Sequence, residues 1–125
     1  MKEKLLELLK NAYCPYSNFP VAAIVVTKDL KEFYGVNVED ASTRAGSCAE
    51  RVAFTKAISE GEKAVEYIVV CGGKDLNKLD DCLPCGYCRQ FMSEFTNNEF
   101  KIFTYDGKNI KNYNMNDLLP NNFKL

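Results

Sequence analysis

Two short cysteine groups, Cys48-Ala49-Glu50 and Pro84-Cys85-Gly86-Tyr87-Cys88, constrain this chain more than any other feature. A fold that uses the sulfurs as a set must bring position 48 to positions 85 and 88. The chain has no histidine, so a tight zinc site has to be built mainly from its six cysteines, with carboxylates as poorer donors. A structural zinc site uses four protein ligands, whereas a catalytic one uses three and keeps a position for water or substrate. Cys48, Cys85 and Cys88 with Glu50 beside them match the open pattern.

The spacing also places the groups in local structure. Cys85 and Cys88, three apart, fall on one face of a helix's first turn, and Pro84 suits a helix start. After Cys48 the residues Ala49, Val52, Ala53 and Ala57 recur at helical spacing until Gly61 can cap them. Both groups therefore open helices, where partial positive charge favours the thiolates that zinc requires.

Three thiolates on a dication leave one net negative charge, which opposes ionisation of a water at the open position. A compensating cation is expected. Only three arginines stand against thirteen lysines, yet Arg51 follows Glu50 and Arg89 follows Cys88. A guanidinium's fixed donor fork beside the sulfurs would offset part of the charge, which marks both arginines as supporting residues around the ligands.

At 125 residues the chain reads as one domain, 1–125, long enough to bury a core without disulfides. A net charge of -1 argues against a nucleic-acid surface and favours a small neutral partner. Met1 to Lys10 interleaves charges with Leu5, Leu6, Leu8 and Leu9 as an amphipathic helix, not a signal peptide, and no run is long enough to span a membrane. A reducing, cytoplasmic setting follows, in which cysteines point to metal or free thiols before disulfides.

Along the chain, the first helix is expected to reach about Asn11, with a loop from Pro15 to Pro20. Val21 to Thr27 is a continuous apolar run, as in a buried strand, and Glu32 to Val36 a second strand. After the Cys48 helix come a strand from Tyr67 to Cys71, a Gly72-Gly73 break and a polar loop from Lys74 to Asp81. The Cys85 helix should extend to about Phe95. Phe100 to Thr104 and Ile110 to Tyr113 form a hairpin around Asp106-Gly107, and Asn116 caps a last turn before Pro120. Helices alternating with about five strands predict a three-layer α/β/α sandwich.

Plainer readings compete for single residues. Cys14 and Cys71 lie apart from the motifs and read as small buried hydrophobes. Cys82 has metal spacing to Cys85, so a closed four-cysteine structural site is an alternative. Glu50 alone is an acidic residue favoured by a helix start, Arg51 and Arg89 are compatible with solvated positions, and Phe19 and Phe123 with core aromatics. Phe123, among polar neighbours near the end, reads better as an exposed ring seeking a pocket or partner.

Taken together, the motifs closely resemble the zinc-dependent cytidine deaminases of the short, homotetrameric type, in their all-cysteine version of the Cys-x-Glu and Pro-Cys-x-x-Cys signature. The resemblance extends to Ala12-Tyr13-Cys14-Pro15-Tyr16-Ser17-Asn18-Phe19-Pro20-Val21, to Gly35-Val36-Asn37-Val38-Glu39 and to Leu118-Leu119-Pro120 with Phe123. It implies a mixed sheet, one zinc per chain on Cys48, Cys85 and Cys88, and Glu50 as the group that moves protons. It also implies that Asn37 and Glu39 bind ribose, that Phe19 stacks on the base, that the Ala49 backbone reads the base edge, and that Phe123 reaches a neighbouring subunit's site. The activity implied is hydrolytic deamination of cytidine and deoxycytidine at carbon 4, in pyrimidine salvage.

Asp40 stands where the family commonly has asparagine, Thr43 where it has tyrosine and Ala22 where it has glycine, and the tail ends at Leu125 soon after Phe123. The altered segment from Asp40 to Ser47 motivates a second reading, a deaminase of another cytosine-bearing compound such as a nucleoside antibiotic. A non-catalytic zinc-stabilised module, with Cys82 as fourth ligand, is the third.

Overall fold

The structure is a computed structural model that describes Met1–Leu125. Its elements run α1 (Lys2–Leu9), β1 (Val21–Thr27), β2 (Glu32–Val36), α2 (Ala49–Ser59), β3 (Val65–Asp75), β4 (Lys78–Asp80), α3 (Gly86–Ser93), β5 (Lys101–Tyr105), β6 (Ile110–Asn114) and α4 (Met115–Leu118).

The strands form one mixed sheet in the order β2-β1-β3-β5-β6, with β4 paired to β3. Only β3 and β5 run parallel, joined through α3; the other pairs are antiparallel. Alternation along the central strands sorts the core into two layers. Ala23, Val25, Ile68, Val70 and Ile102 face α2 and α3 with Phe54, Ala57 and Met92, whereas Ala22, Ile24, Val26, Val69 and Cys71 face Leu5, Leu8 and Leu9 of α1. Helices thus cover both faces of the sheet.

Two expectations fail at one place. Gly72 and Gly73 do not break the strand, and the polar stretch after them is not all loop: β3 runs on to Asp75 and β4 folds back on it, which brings the expected sheet of about five strands to six. The glycines are carried because β3 is paired on both sides over much of its length, so ladder hydrogen bonds outweigh their low strand propensity. A Cβ at Gly72 would stand 2.9 Å from the Pro20 carbonyl oxygen, so the position requires glycine for close approach.

Element ends also shift. α1 stops at Leu9 and α3 at Ser93, short of Asn11 and Phe95. The last turn is capped by Asn114, not Asn116: its side chain accepts from the Asp117 backbone N–H while Asp117 accepts from the Asn114 N–H, a reciprocal capping box. Cys14 is half-buried where a buried thiol was expected, and Cys71 is buried.

Candidate active site

The sheet brings the two cysteine groups together because α2 and α3 lie on the same face with their N-termini adjacent. Cys48 is the N-cap of α2 and Cys85 the N-cap of α3, where the Cys85 sulfur accepts from the Cys88 N–H at 3.5 Å. The Cys85 and Cys88 sulfurs are 3.5 Å apart, and all three sulfurs lie within 4.8 Å of one another. Ligands around a tetrahedral zinc with bonds of about 2.3 Å stand roughly 3.8 Å apart, so the cluster fits zinc in both donor type and spacing. Cys82 is outside the cluster. Its thiol is pushed up to about 12 by burial, with nearby acidic groups adding to the shift.

The sulfurs are electrostatically coupled. A hydrogen bond from Cys88 brings Cys48 down to about 5, with help from Arg51, and the same bond raises Cys88, which holds the shared proton. Arg51 donates through Nη2 to the Cys48 sulfur at 3.5 Å, and its Nε–H is buried without a partner. Arg89 does not reach a sulfur. It donates to the Pro84 carbonyl at 2.7 Å and the Leu118 carbonyl at 2.8 Å, fixing the loop ahead of Cys85 to the C-terminal segment. The two arginines looked equivalent in sequence, but helix geometry sends them to different partners.

Glu50 is 4% exposed, and no other side chain hydrogen-bonds its carboxylate. Burial pushes it up to about 7, with the Cys48 charge adding to the rise. It lies in a cavity of about 270 Å³ that also includes Phe19, Asn37, Cys48, Cys82 and Cys85. An adjoining cavity of about 460 Å³ includes Ser17, Asn37, Glu39, Asp40, Thr43 and Arg51. Asn37 and Cys48 belong to both, so the two form a continuous cleft from the sulfurs to the loop after β2.

That loop is built by hydrogen bonds of long sequence range. Asn37 Oδ1 accepts from the Val21 N–H at 2.9 Å and Nδ2 donates to the Phe19 carbonyl at 2.8 Å, tying the end of β2 to the segment that carries Phe19. One amide hydrogen and one lone pair remain free. Glu39 accepts from the Tyr16 and Ser17 N–H groups, each at 3.1 Å, and from the Ser17 hydroxyl at 2.5 Å. The Ser17 hydroxyl and these backbone donors hold its carboxyl below the usual range. Asp40 accepts from Ser42 and from the Gly46 N–H, closing a turn in which Thr43 adopts φ 60.

One family model, "Cytidine and deoxycytidylate deaminase zinc-binding region", matches residues 1–104, a range that includes all three clustered sulfurs and Glu50. The chain belongs to the cytidine and deoxycytidylate deaminase family. It is similar to a cytidine deaminase of Mycoplasma genitalium, 35% identical over 123 residues, covering 98% of this chain and 92% of that one. A probable cytidine deaminase of Dictyostelium discoideum is 42% identical over 125 residues, covering 97% of this chain and 82% of the relative. The crystal structure of a cytidine deaminase from Burkholderia pseudomallei aligns with TM-score 0.82 and 35% identity, over 98% of this chain and 99% of that one.

The deaminase fold thus brings Phe19, Asn37, Glu39, Cys48, Ala49, Glu50, Arg51 and Cys85 to one cleft, with Cys88 completing the sulfur cluster. Phe123 is 65% exposed and lines neither cavity; its carbonyl accepts from Gln90 at 3.0 Å, which clips the tail to α3. Sequence reasoning missed Ser17, which orients Glu39, and Tyr87, whose ring stacks on Arg51. An exposed tyrosine between two metal-spaced cysteines was the available signal for the second.

Proposed function

We propose that this deaminase converts cytidine and deoxycytidine to the uracil nucleosides and ammonia by adding water at carbon 4. The observation that carries the reading is Glu50, buried and bonded by no other side chain beside the three-sulfur cluster, in a cleft that also includes Phe19 and Asn37.

Cys48, Cys85 and Cys88 would hold zinc, whose Lewis acidity makes a water nucleophilic near neutral pH. Glu50 takes one proton from the attacking water and delivers it to ring nitrogen 3, then carries the second proton from the new hydroxyl to the amine, which departs as ammonia. Burial without a salt bridge suits both transfers, because no ion pair locks the carboxylate in one protonation state. Phe19 stacks on the pyrimidine and the Ala49 backbone reads the base edge. The free hydrogen-bonding positions of Asn37 and the ionised Glu39 take the ribose hydroxyls. Arg51 offsets the charge of the sulfurs, while Arg89 acts one step away by fixing the Pro84 turn.

The whole chain serves as one catalytic domain of pyrimidine salvage, in the cytoplasm. Tyr16 and Val38 at the cleft and Phe123 on the tail are exposed apolar groups, which supports a homotetramer in which Phe123 completes a neighbouring copy's site. No helix is long and apolar enough to cross a membrane.

The test is loss of the cytidine absorbance band on adding zinc-quantified protein, beside Glu50→Gln. Turnover at about one zinc per chain, reduced at least a thousandfold in the variant, is expected. Undiminished turnover by Glu50→Gln would remove this reading.

A further inference from the structure

Tyr87 separates the two sulfur positions of α3, and its side chain is 70% exposed, so the hydrophobic core does not hold it there. Its ring face carries the Arg51 guanidinium, with Cζ 4.4 Å from the ring centroid. Arg51 belongs to the first turn of α2, so the contact bridges the two helix starts that carry the sulfurs.

The same guanidinium donates to the Cys48 sulfur through Nη2 at 3.5 Å, while its Nε–H is buried and unpartnered. One long bond to sulfur is a weak constraint on a side chain with so many rotamers. Arg89, the other arginine beside a sulfur ligand in sequence, does not substitute, since it is committed to the Pro84 and Leu118 carbonyls. The ring supplies the second point of contact, and its negative face attracts the cation.

We propose that Tyr87 is a positioning residue that holds the Arg51 guanidinium against the Cys48 sulfur. The inference rests on the reading of Arg51 as the group that offsets the sulfurs' charge. It assigns to the aromatic residue inside the Cys85-Gly86-Tyr87-Cys88 motif a function the motif itself does not require. A sulfur without its guanidinium loses the hydrogen-bonded partner that orients it, and outer partners of metal ligands are typically worth about ten- to a hundredfold in metal affinity. It also leaves more negative charge beside the reacting water.

The experiment compares zinc release to an excess of chelator, and cytidine turnover, in the zinc-loaded wild type, Tyr87→Ala, Tyr87→Leu, Tyr87→Phe, Arg51→Gln and the Tyr87→Ala/Arg51→Gln pair. Tyr87→Ala and Tyr87→Leu are expected to release zinc roughly three- to tenfold faster and to lower kcat by a similar factor with KM unchanged, whereas Tyr87→Phe keeps the ring and the wild-type rate. Tyr87→Ala adds nothing once Arg51 is replaced. The proposal is overturned if Tyr87→Ala and Tyr87→Leu release zinc at the wild-type rate, if Tyr87→Phe is as fast as they are, or if Tyr87→Ala has the same effect with and without Arg51. A wild-type protein that holds zinc but does not turn over cytidine would sink the deaminase reading instead, leaving the zinc-release comparison intact.

Discussion

Gly35 of β2 and Ala49 of α2 meet backbone to backbone: a Cβ at Gly35 would stand 2.3 Å from the Ala49 carbonyl oxygen and 2.6 Å from the Ala53 nitrogen. The contact seats the turn of α2 that carries Cys48 and Glu50 directly on the sheet. Gly35→Ala is therefore expected to push α2 outward, destabilising the protein by about 3 kcal/mol, at the upper end of overpacking costs because backbone cannot rotate away. Urea denaturation and zinc content check this together. An unchanged midpoint with full zinc would mean that the helix start is not set by this contact.

Ser17 and Glu39 provide a test of the sugar end of the cleft. Ser17 gives Glu39 both a hydroxyl and a backbone N–H. Ser17→Ala removes only the hydroxyl, so Glu39 stays in place but is less firmly oriented and less strongly held in the ionised state. The expected outcome is a KM for cytidine raised roughly three- to tenfold, the loss of one hydrogen bond to a charged group, with kcat within twofold of wild type. Steady-state kinetics at pH 7 decides, and a fall in kcat alone would place Ser17 elsewhere in the mechanism.

The site was legible in the sequence where its signals are local. Pro84 before Cys85 marked a helix start, and the apolar run Val21 to Thr27 marked the buried strand that the sheet is built around. The sulfur cluster followed from spacing and the absence of histidine. What sequence could not give was contact over distance. Nothing local in the sequence shows that the Asn37 amide bonds to Phe19 and Val21, and nothing near Glu39 announces Ser17, which is 22 residues away. Lys78-Leu79-Asp80 is too short and polar to read as a strand, and becomes one because β3 offers it a partner. Arg51 and Arg89 look alike in sequence because each follows a motif residue, yet one faces sulfur and the other faces carbonyls.

Asp81, at the entry to the Cys82-Leu83-Pro84-Cys85 segment, joins that segment to the β5–β6 hairpin. It accepts from the buried Thr104 hydroxyl at 2.6 Å, from Tyr113 at 2.9 Å and from Lys111 at 3.2 Å. The Thr104 bond above all holds the carboxyl below its usual range. A depressed carboxylate stabilises the fold above its unfolded pKa, and that contribution is lost as pH falls through the folded value. Asp81→Ala also leaves the Thr104 hydroxyl buried without its acceptor. It is expected to cost about 2 kcal/mol at pH 7, with a smaller difference from wild type near pH 3. Thermal unfolding at the two pH values measures this, and a gap that does not narrow in acid would rule out the ionised carboxylate as its source.

Glu50 gives the opposite pH dependence once zinc is removed. Its carboxyl is pushed up to about 7 from its ordinary value of 4.5, first by burial and then by the Cys48 charge. A raised acid holds its proton more tightly in the folded state, so the fold incurs no penalty below the unfolded pKa. The penalty grows as pH rises from about 4.5 and is complete above about 7. At 1.36 kcal/mol per pKa unit the full effect is on the order of 3 kcal/mol. Glutamine keeps the shape without the titration, so metal-free Glu50→Gln should match metal-free wild type at pH 4.5 and exceed it progressively up to pH 8. Comparing only these two proteins removes the sulfur titrations except for the part coupled to the Glu50 charge, which belongs to the same effect. Denaturant midpoints that run parallel across the range would show that Glu50 is not desolvated in the folded chain, and would remove the physical basis for its acting as both acid and base.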